Sequence, residues 1–175
     1  MQRPNVLLIT TDQQRYDTIR AAGNEHIHTP NLDALAASGT LFTHACCNSP
    51  VCMPSRQSFM SGQQPSALNR TANGQEMPED VPCIQHILGG IGYHTAQIGK
   101  LHLTNIQPRD RGEIQPRYGF ETMILAEHNA PGFRDQYDLW VDEQAPGASE
   151  QARDLGAKAY WDAEQFQHPY EQFNG

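Results

Sequence analysis

The sequence predicts an α/β fold whose mostly parallel sheet is flanked by helices. Residues 5–10, NVLLIT, form a short unbroken apolar run rich in branched side chains, the pattern of a strand covered on both faces. Strand-like runs of this kind alternate with helix-like stretches through residue 104. The chemistry-bearing residues Asp12, Cys52 and Lys100 fall just past or beside these elements, where open α/β sheets collect their ligands.

Taken in order, Asn5–Thr10 is the first predicted strand, with Asp12 just beyond its carboxyl end. HTPNLDALAASG then predicts a helix: Thr29 as N-cap, Pro30 at the first helical position, Leu32, Leu35 and Ala36 on one face, and Gly39 as the stop. Thr40–Cys46 reads as a second strand. A helix starting near Pro54 follows, then another from an Asp80 cap through Pro82, Ile84, Ile87 and Leu88 to Gly89 or Gly90. YHTAQIG is a third strand ending at Gly99, and YGFETMILAE reads as a further one. FRDQYDLWVDE is helical by the spacing of Phe133, Tyr137, Trp140 and Val141. Residues 1–145 are read as one domain, and residues 146–175, rich in Gln, Glu, Ala and Gly, as a weakly patterned tail. No repeat or linker splits the chain.

The length of 175 residues suits one domain with a real core. A net charge of -8 and a pI near 5.4, with both signs scattered, argue against nucleic-acid or anionic-membrane partners and for a small soluble substrate. Four cysteines, irregularly spaced and without a CxxC pair, read as reduced thiols, with Cys46, Cys47 and Cys83 assigned to packing. No run approaches the ~20 apolar residues of a membrane span, and the first residues lack the pattern of a signal peptide. A cytoplasmic location is therefore expected, with the Asn69-Arg70-Thr71 sequon a coincidence. His26 and His28 flank Ile27 without further ligand types nearby and read as loop residues.

VCMPSRQSFMSG, residues 51–62, is the most informative stretch. Pro54 suits a first helical turn, which places Cys52 at or just before a helix N-terminus, a field that favours anions and thiolates. Arg56 adds a fixed positive charge. On physical grounds this is an electropositive pocket for a reactive thiol or for an oxyanion, and a cysteine at a helix start taken alone is most often apolar filler.

CMPSR followed by QSFMSG resembles the first signature of the type I sulfatases, of the alkaline phosphatase superfamily. GYHTAQIGKLHL, residues 92–103, resembles their second signature, and PNVLLITTDQQ, residues 4–14, their first metal-binding strand. The three occur in the family's order over residues 4–104. The resemblance implies that Cys52 is oxidised to formylglycine by a maturation enzyme. The aldehyde hydrate then offers two hydroxyls on one carbon: one attacks sulfur and displaces the alcohol, the other loses its proton and expels sulfate. It further implies Asp12 as an oxygen ligand of a divalent metal, Ca²⁺ foremost with Mg²⁺ or Mn²⁺ as alternatives, shared with the hydrate at Cys52. Where many sulfatases carry a second Asp, this chain has Gln13, a pairing that also resembles choline sulfatases and phosphonate monoester hydrolases. Arg56 would hold the hydrate, Lys100 bind a sulfate oxygen, and His102 orient or protonate near the leaving group. Alternation along an extended segment would bring Lys100 and His102 to one side. Asn73 lies where some relatives place a substrate-binding asparagine.

The implied function is hydrolysis of a small-molecule sulfate ester, with phosphonate monoesters or phosphodiesters as the alternative, and a catalytically silent remnant as a second class. Family members are longer than 175 residues, and their remaining metal ligands lie downstream. Glu127-His128-Asn129 and Asp135 are polar candidates without the family context. The chain therefore reads as the N-terminal part of a sulfatase, with an incomplete sheet.

Overall fold

The computed structural model describes residues 3–104, 116–127 and 135–152. Two compact units divide the chain, Met1–Cys47 and Asn48–Gly175.

In the first unit, helix α1 spans Pro30–Ser38 with Thr29 at the N-cap, Pro30 leading and Gly39 ending it, as the sequence predicts. The Thr29 hydroxyl accepts the Arg20 amide at 2.9 Å and bonds Asp33 Oδ1 at 3.0 Å, and the same Asp33 oxygen accepts the Ala21 amide at 2.8 Å. These bonds tie the 3-10 turns Tyr16–Thr18 and Arg20–Ala22 to the start of α1. Neither expected strand is present here. Asn5–Thr10 is unpaired backbone, with Leu7 84% and Ile9 75% exposed, and Thr40–Cys46 is irregular with Phe42 exposed. Leu32 and Leu35 of α1 are exposed too, and no described residue of this unit is buried. A parallel strand takes its ladder bonds from segments remote in sequence, so an apolar run cannot by itself make a strand. The residues that bound α1, Thr29 and Pro30 at its start and Gly39 at its end, are local signals that act regardless of burial.

The second unit holds helix α2 (Cys52–Ser61), helix α3 (Ile84–Gly90), strand β1 (Ala96–Gly99), strand β2 (Thr122–Leu125) and helix α4 (Gln136–Gln144). Strands β1 and β2 pair in parallel, Ala96 opposite Thr122 through Gly99 opposite Leu125. The ladder continues with the Ala126 amide donating to the Gly99 carbonyl, so Lys100 and Glu127 both leave the sheet at its carboxyl end. The core gathers Met60, Met77, Cys83, Leu101, Leu103, Tyr118, Phe120 and Leu125. Tyr118 donates its hydroxyl to the Met77 carbonyl at 2.7 Å, and the Met77 amide donates to the Leu103 carbonyl at 2.9 Å. The segment after β1 is thereby stitched to the loop before α3.

Three elements differ from expectation in detail. α3 starts at Ile84, not at Asp80, because residues 78–81 close a turn through the Val81 amide and Pro78 carbonyl, and His86 Nδ1 accepts the Cys83 amide at 3.1 Å as the cap. Its buried member is Gln85, whereas Ile84 and Ile87 are exposed. α4 starts at Gln136 behind the Asp135 cap and turns Asp138 inward, leaving Tyr137 and Trp140 exposed with ring centroids 6.0 Å apart. Phe133 lies outside the described residues. Of the cysteines read as packing residues Cys83 is buried, while Cys46 and Cys47 are exposed. His26 and His28 lie in a loop, as read. Among the described residues no helix is long and apolar enough to cross a membrane.

Gly119 has a positive φ of 87°, and a Cβ there would sit 2.6 Å from the His86 ring. Gly119→Ala is expected to cost about 1–3 kcal/mol, read as a lower denaturant midpoint. Gly74→Ala, at a positive φ of 88° with open space around it, carries the backbone strain without the clash and is expected to cost less.

Candidate active site

Cys52 is the first residue of α2 and is half-buried. Its helix turns polar side chains inward: Arg56, Gln57 and Ser58 are buried beside Met53 and Pro54. Buried polar groups need partners, and the donors of these side chains find backbone carbonyls, while Gln57 Oε1 is buried without one. Gln57 Nε2 donates to the Gln75 carbonyl at 2.8 Å, and Ser58 Oγ donates to the Gln63 carbonyl at 2.6 Å. Arg56 Nη1 donates to the Lys100 carbonyl at 2.5 Å, across 44 residues of sequence. That bond joins the CMPSR stretch to the GKLH stretch.

The N-terminus of α2 has no cap from Val51, the residue before it. Asn73 supplies one from a distance: its Oδ1 accepts the Met53 amide at 3.1 Å and the Cys52 thiol at 3.5 Å. Asn73 thus touches the candidate nucleophile directly. The adjacent Gly74, at positive φ, donates its amide to Met53 Sδ.

Beyond β1, Leu101 and Leu103 point into the core and are fully buried, while His102 between them has a φ of 51°. The extended alternation expected for Lys100 and His102 is therefore replaced by a left-handed turn. Lys100 is half-buried and His102 buried. The turn is held by a residue whose role the sequence did not disclose: Glu127 Oε1 accepts the amides of Leu101 and His102, each at 3.0 Å, and Oε2 accepts that of His102 at 3.1 Å. One signal pointed to it, since Glu127 follows TMILA at the end of β2 as Lys100 follows AQIG at the end of β1. Burial pushes the Glu127 carboxyl up; the amide bonds from His102 and Leu101 and the charges of Arg56 and Lys100 pull it down without cancelling that rise.

Asp12 and Gln13 lie in the first unit, in a bend with Gln13 at a φ of 53°. They are adjacent oxygen donors in an exposed segment. Among the described residues no three His, Cys, Asp or Glu side chains stand together as a metal site. Asp135, the other polar candidate, caps α4 through the Asp138 amide and accepts the Glu127 amide at 2.8 Å. His128 and Asn129 lie outside the described residues. Two bonded sets thus meet on α2 in the second unit: Cys52 and Met53 with Asn73 at its first turn, and Arg56 with the Lys100–His102 backbone and Glu127; a helix N-terminus favours an anion at the first.

The Sulfatase family pattern matches residues 4–169. An ulvan-active sulfatase of Formosa agariphila is 35% identical over 119 residues, covering 68% of this chain and 23% of that protein. A choline-sulfatase of Rhizobium meliloti is 38% identical over 100 residues, covering 57% and 20%. Among solved structures, the phosphonate monoester hydrolase of Agrobacterium radiobacter superposes with a TM-score of 0.66 at 28% identity, over 84% of this chain and 30% of that one. Ps i-CgsB, solved also with k-i-k-neocarrahexaose, gives 0.63 at 32% identity, over 82% and 32%. The chain spans about a fifth to a quarter of the length of these curated relatives.

The raised Glu127 carboxyl has a thermodynamic consequence. The folded chain holds that proton more tightly than the unfolded chain, so stability falls as pH rises from the ordinary glutamate range through the folded value. Glu127→Gln is expected to remove that decline, seen as a flatter dependence of Tm on pH across the window.

Proposed function

The chain belongs to the sulfatase family, and we propose that it carries the nucleophile and anion-binding part of a sulfuric ester hydrolase acting on a small-molecule sulfate ester. The observation that carries this reading is the Arg56 bond to the Lys100 carbonyl, which ties the cysteine signature to the GKLH segment. A lone cysteine at a helix start would need no such partner.

In this reading Cys52 is the position converted to formylglycine by a maturation enzyme, and the aldehyde hydrate supplies one hydroxyl for attack and another for release of sulfate. The chain's own groups prepare that chemistry. The amide end of α2 and the buried Arg56 guanidinium favour an anion at Cys52. Asn73 holds the first turn in register and orients the side chain at position 52 by accepting a hydrogen bond from it. Lys100 meets a sulfate oxygen, and His102 gives a proton to the departing alcohol. Asp12 and Gln13 would supply two of the oxygens that Ca²⁺ or Mg²⁺ takes, a fraction of the six to eight typical of Ca²⁺. The chemistry such a cation would supply is Lewis-acid activation of an oxygen nucleophile.

A second reading, phosphonate monoester or phosphodiester hydrolysis, is favoured by the Asp12-Gln13 pair and the TM-score of 0.66 to a phosphonate monoester hydrolase. The two readings share Cys52 and differ in substrate.

The test is coexpression with a formylglycine-generating enzyme, followed by peptide mass spectrometry and assays on aryl sulfate and aryl phosphonate esters with added Ca²⁺, Mg²⁺ or Mn²⁺. We expect the Cys52 peptide to carry the aldehyde. Aryl sulfate should be turned over slowly, several orders of magnitude below ordinary enzymes, if Asp12 and Gln13 are the metal's protein ligands, and Cys52→Ala should abolish it. An unmodified thiol beside a modified control sulfatase overturns the proposal. Faster turnover of the phosphonate ester transfers the chain to the second reading.

A further inference from the structure

We propose that Glu127 is the positioning residue of the Lys100–His102 segment, its carboxylate holding two consecutive backbone amides and so fixing the left-handed turn from which both active-site side chains project. The inference rests on the functional reading above only for what Lys100 and His102 do, not for the geometry that holds them.

Two successive amides that converge on one oxygen, at a residue with positive φ, form a concavity that binds anions. Here Leu101 and His102 form it, with the His102 φ at 51°, and the anion is supplied by the chain itself, since Glu127 Oε1 accepts both amides at 3.0 Å. The second carboxylate oxygen also faces the His102 amide at 3.1 Å. These two amides are therefore occupied and do not serve a substrate oxyanion. A left-handed backbone is costly for histidine, and the carboxylate offsets that cost with bonds to two amides that the turn aligns.

The clamp is anchored at both ends. On one side the Glu127 amide donates to Asp135 Oδ2 at 2.8 Å, and Asp135 is itself fixed as the cap of α4, with its Oδ1 accepting the Asp138 amide at 3.0 Å. On the other, Arg56 donates to the Lys100 carbonyl at 2.5 Å, so one carbonyl and the next two amides of the segment are all held. Leu101 and Leu103, fully buried, seat the same backbone in the core. The charged and titratable groups around the Glu127 network are Arg56 from α2, Lys100 and His102 after β1, and Asp135 and Asp138 from the start of α4. Glutamine keeps one acceptor oxygen but turns an amide donor toward the His102 N–H. Aspartate keeps the charge but is one methylene short of the turn.

Amide NMR on the 175-residue chain tests the proposal. In wild type the Leu101 and His102 amide proton shifts should titrate together, with one midpoint above the ordinary glutamate range. That joint step should vanish in Glu127→Gln, and both amides should exchange roughly tenfold faster in Glu127→Asp. Tyr118 and Phe120 ring signals serve as the control for an intact core. Shifts that titrate alike in wild type and Glu127→Gln, or a wild type with no joint step, overturn the proposal even where a variant fails to fold. Inorganic sulfate added to the same samples separates the two readings. Positioning predicts weaker sulfate binding in both variants, by several fold, although Glu127→Gln removes a like charge. Tighter binding in Glu127→Gln with unchanged binding in Glu127→Asp would show an electrostatic role instead and overturn the positioning. Sulfate that perturbs no signal in wild type, with the joint titration present, overturns the sulfate-site reading and leaves the clamp standing.

Discussion

The bond from Arg56 to the Lys100 carbonyl is the constraint around which the second unit is arranged. A guanidinium cannot shed its charge, so burying it requires a partner with a fixed position. The Lys100 carbonyl is such a partner because β1 ends at Gly99 and Leu101 and Leu103 drive the following backbone into the core. α2 is then oriented by what Arg56 must reach. Gln57 and Ser58, on the same inward face, find carbonyls at Gln75 and Gln63, so the helix is tied to three separate loops by polar bonds. Apolar packing through Met53 and Met60 adds cohesion.

A buried carboxylate beside this arrangement works against stability and for geometry. Desolvation opposes the charge on Glu127, and the two amides with the nearby cations offset only part of it. What the chain gains is a turn at His102 that an extended segment could not make. Gly119 shows a related use of local strain, where positive φ and the closeness of the His86 ring leave no room for a side chain. Both devices sit in loops joined to β1 and β2, so a two-stranded ladder is enough to place them relative to each other.

The site expectations came from short motifs. Pro54 located the helix start by its fixed φ, and the resemblance of CMPSR and GKLH to the family signatures pointed to Cys52, Arg56, Lys100 and His102. Asn73 was recognised by its place after the signature helix, but its action as a remote cap of that helix was not readable, since the bond spans 20 residues. Glu127 appeared only as a polar residue without context; its partners lie 25 and 26 residues away in an unrelated loop. The extended alternation assumed for Lys100 and His102 failed because a carboxylate pairing with consecutive amides changes the sign of φ, which no periodicity encodes.

The sequence by itself determined the elements whose signals are local: α1 with its Thr29 cap and Gly39 stop, α2 around Pro54, the strand ending at Gly99, and the family through its motifs. Tertiary structure decided which apolar runs become strands and which helix faces turn inward. NVLLIT has the composition of a buried strand and lies exposed, while Gln85, Asp138 and Arg56 are buried where an apolar pattern would have put neighbours. Composition reports what a segment can bury. Whether it is buried depends on hydrogen-bond partners and covering surfaces supplied by residues remote in the chain.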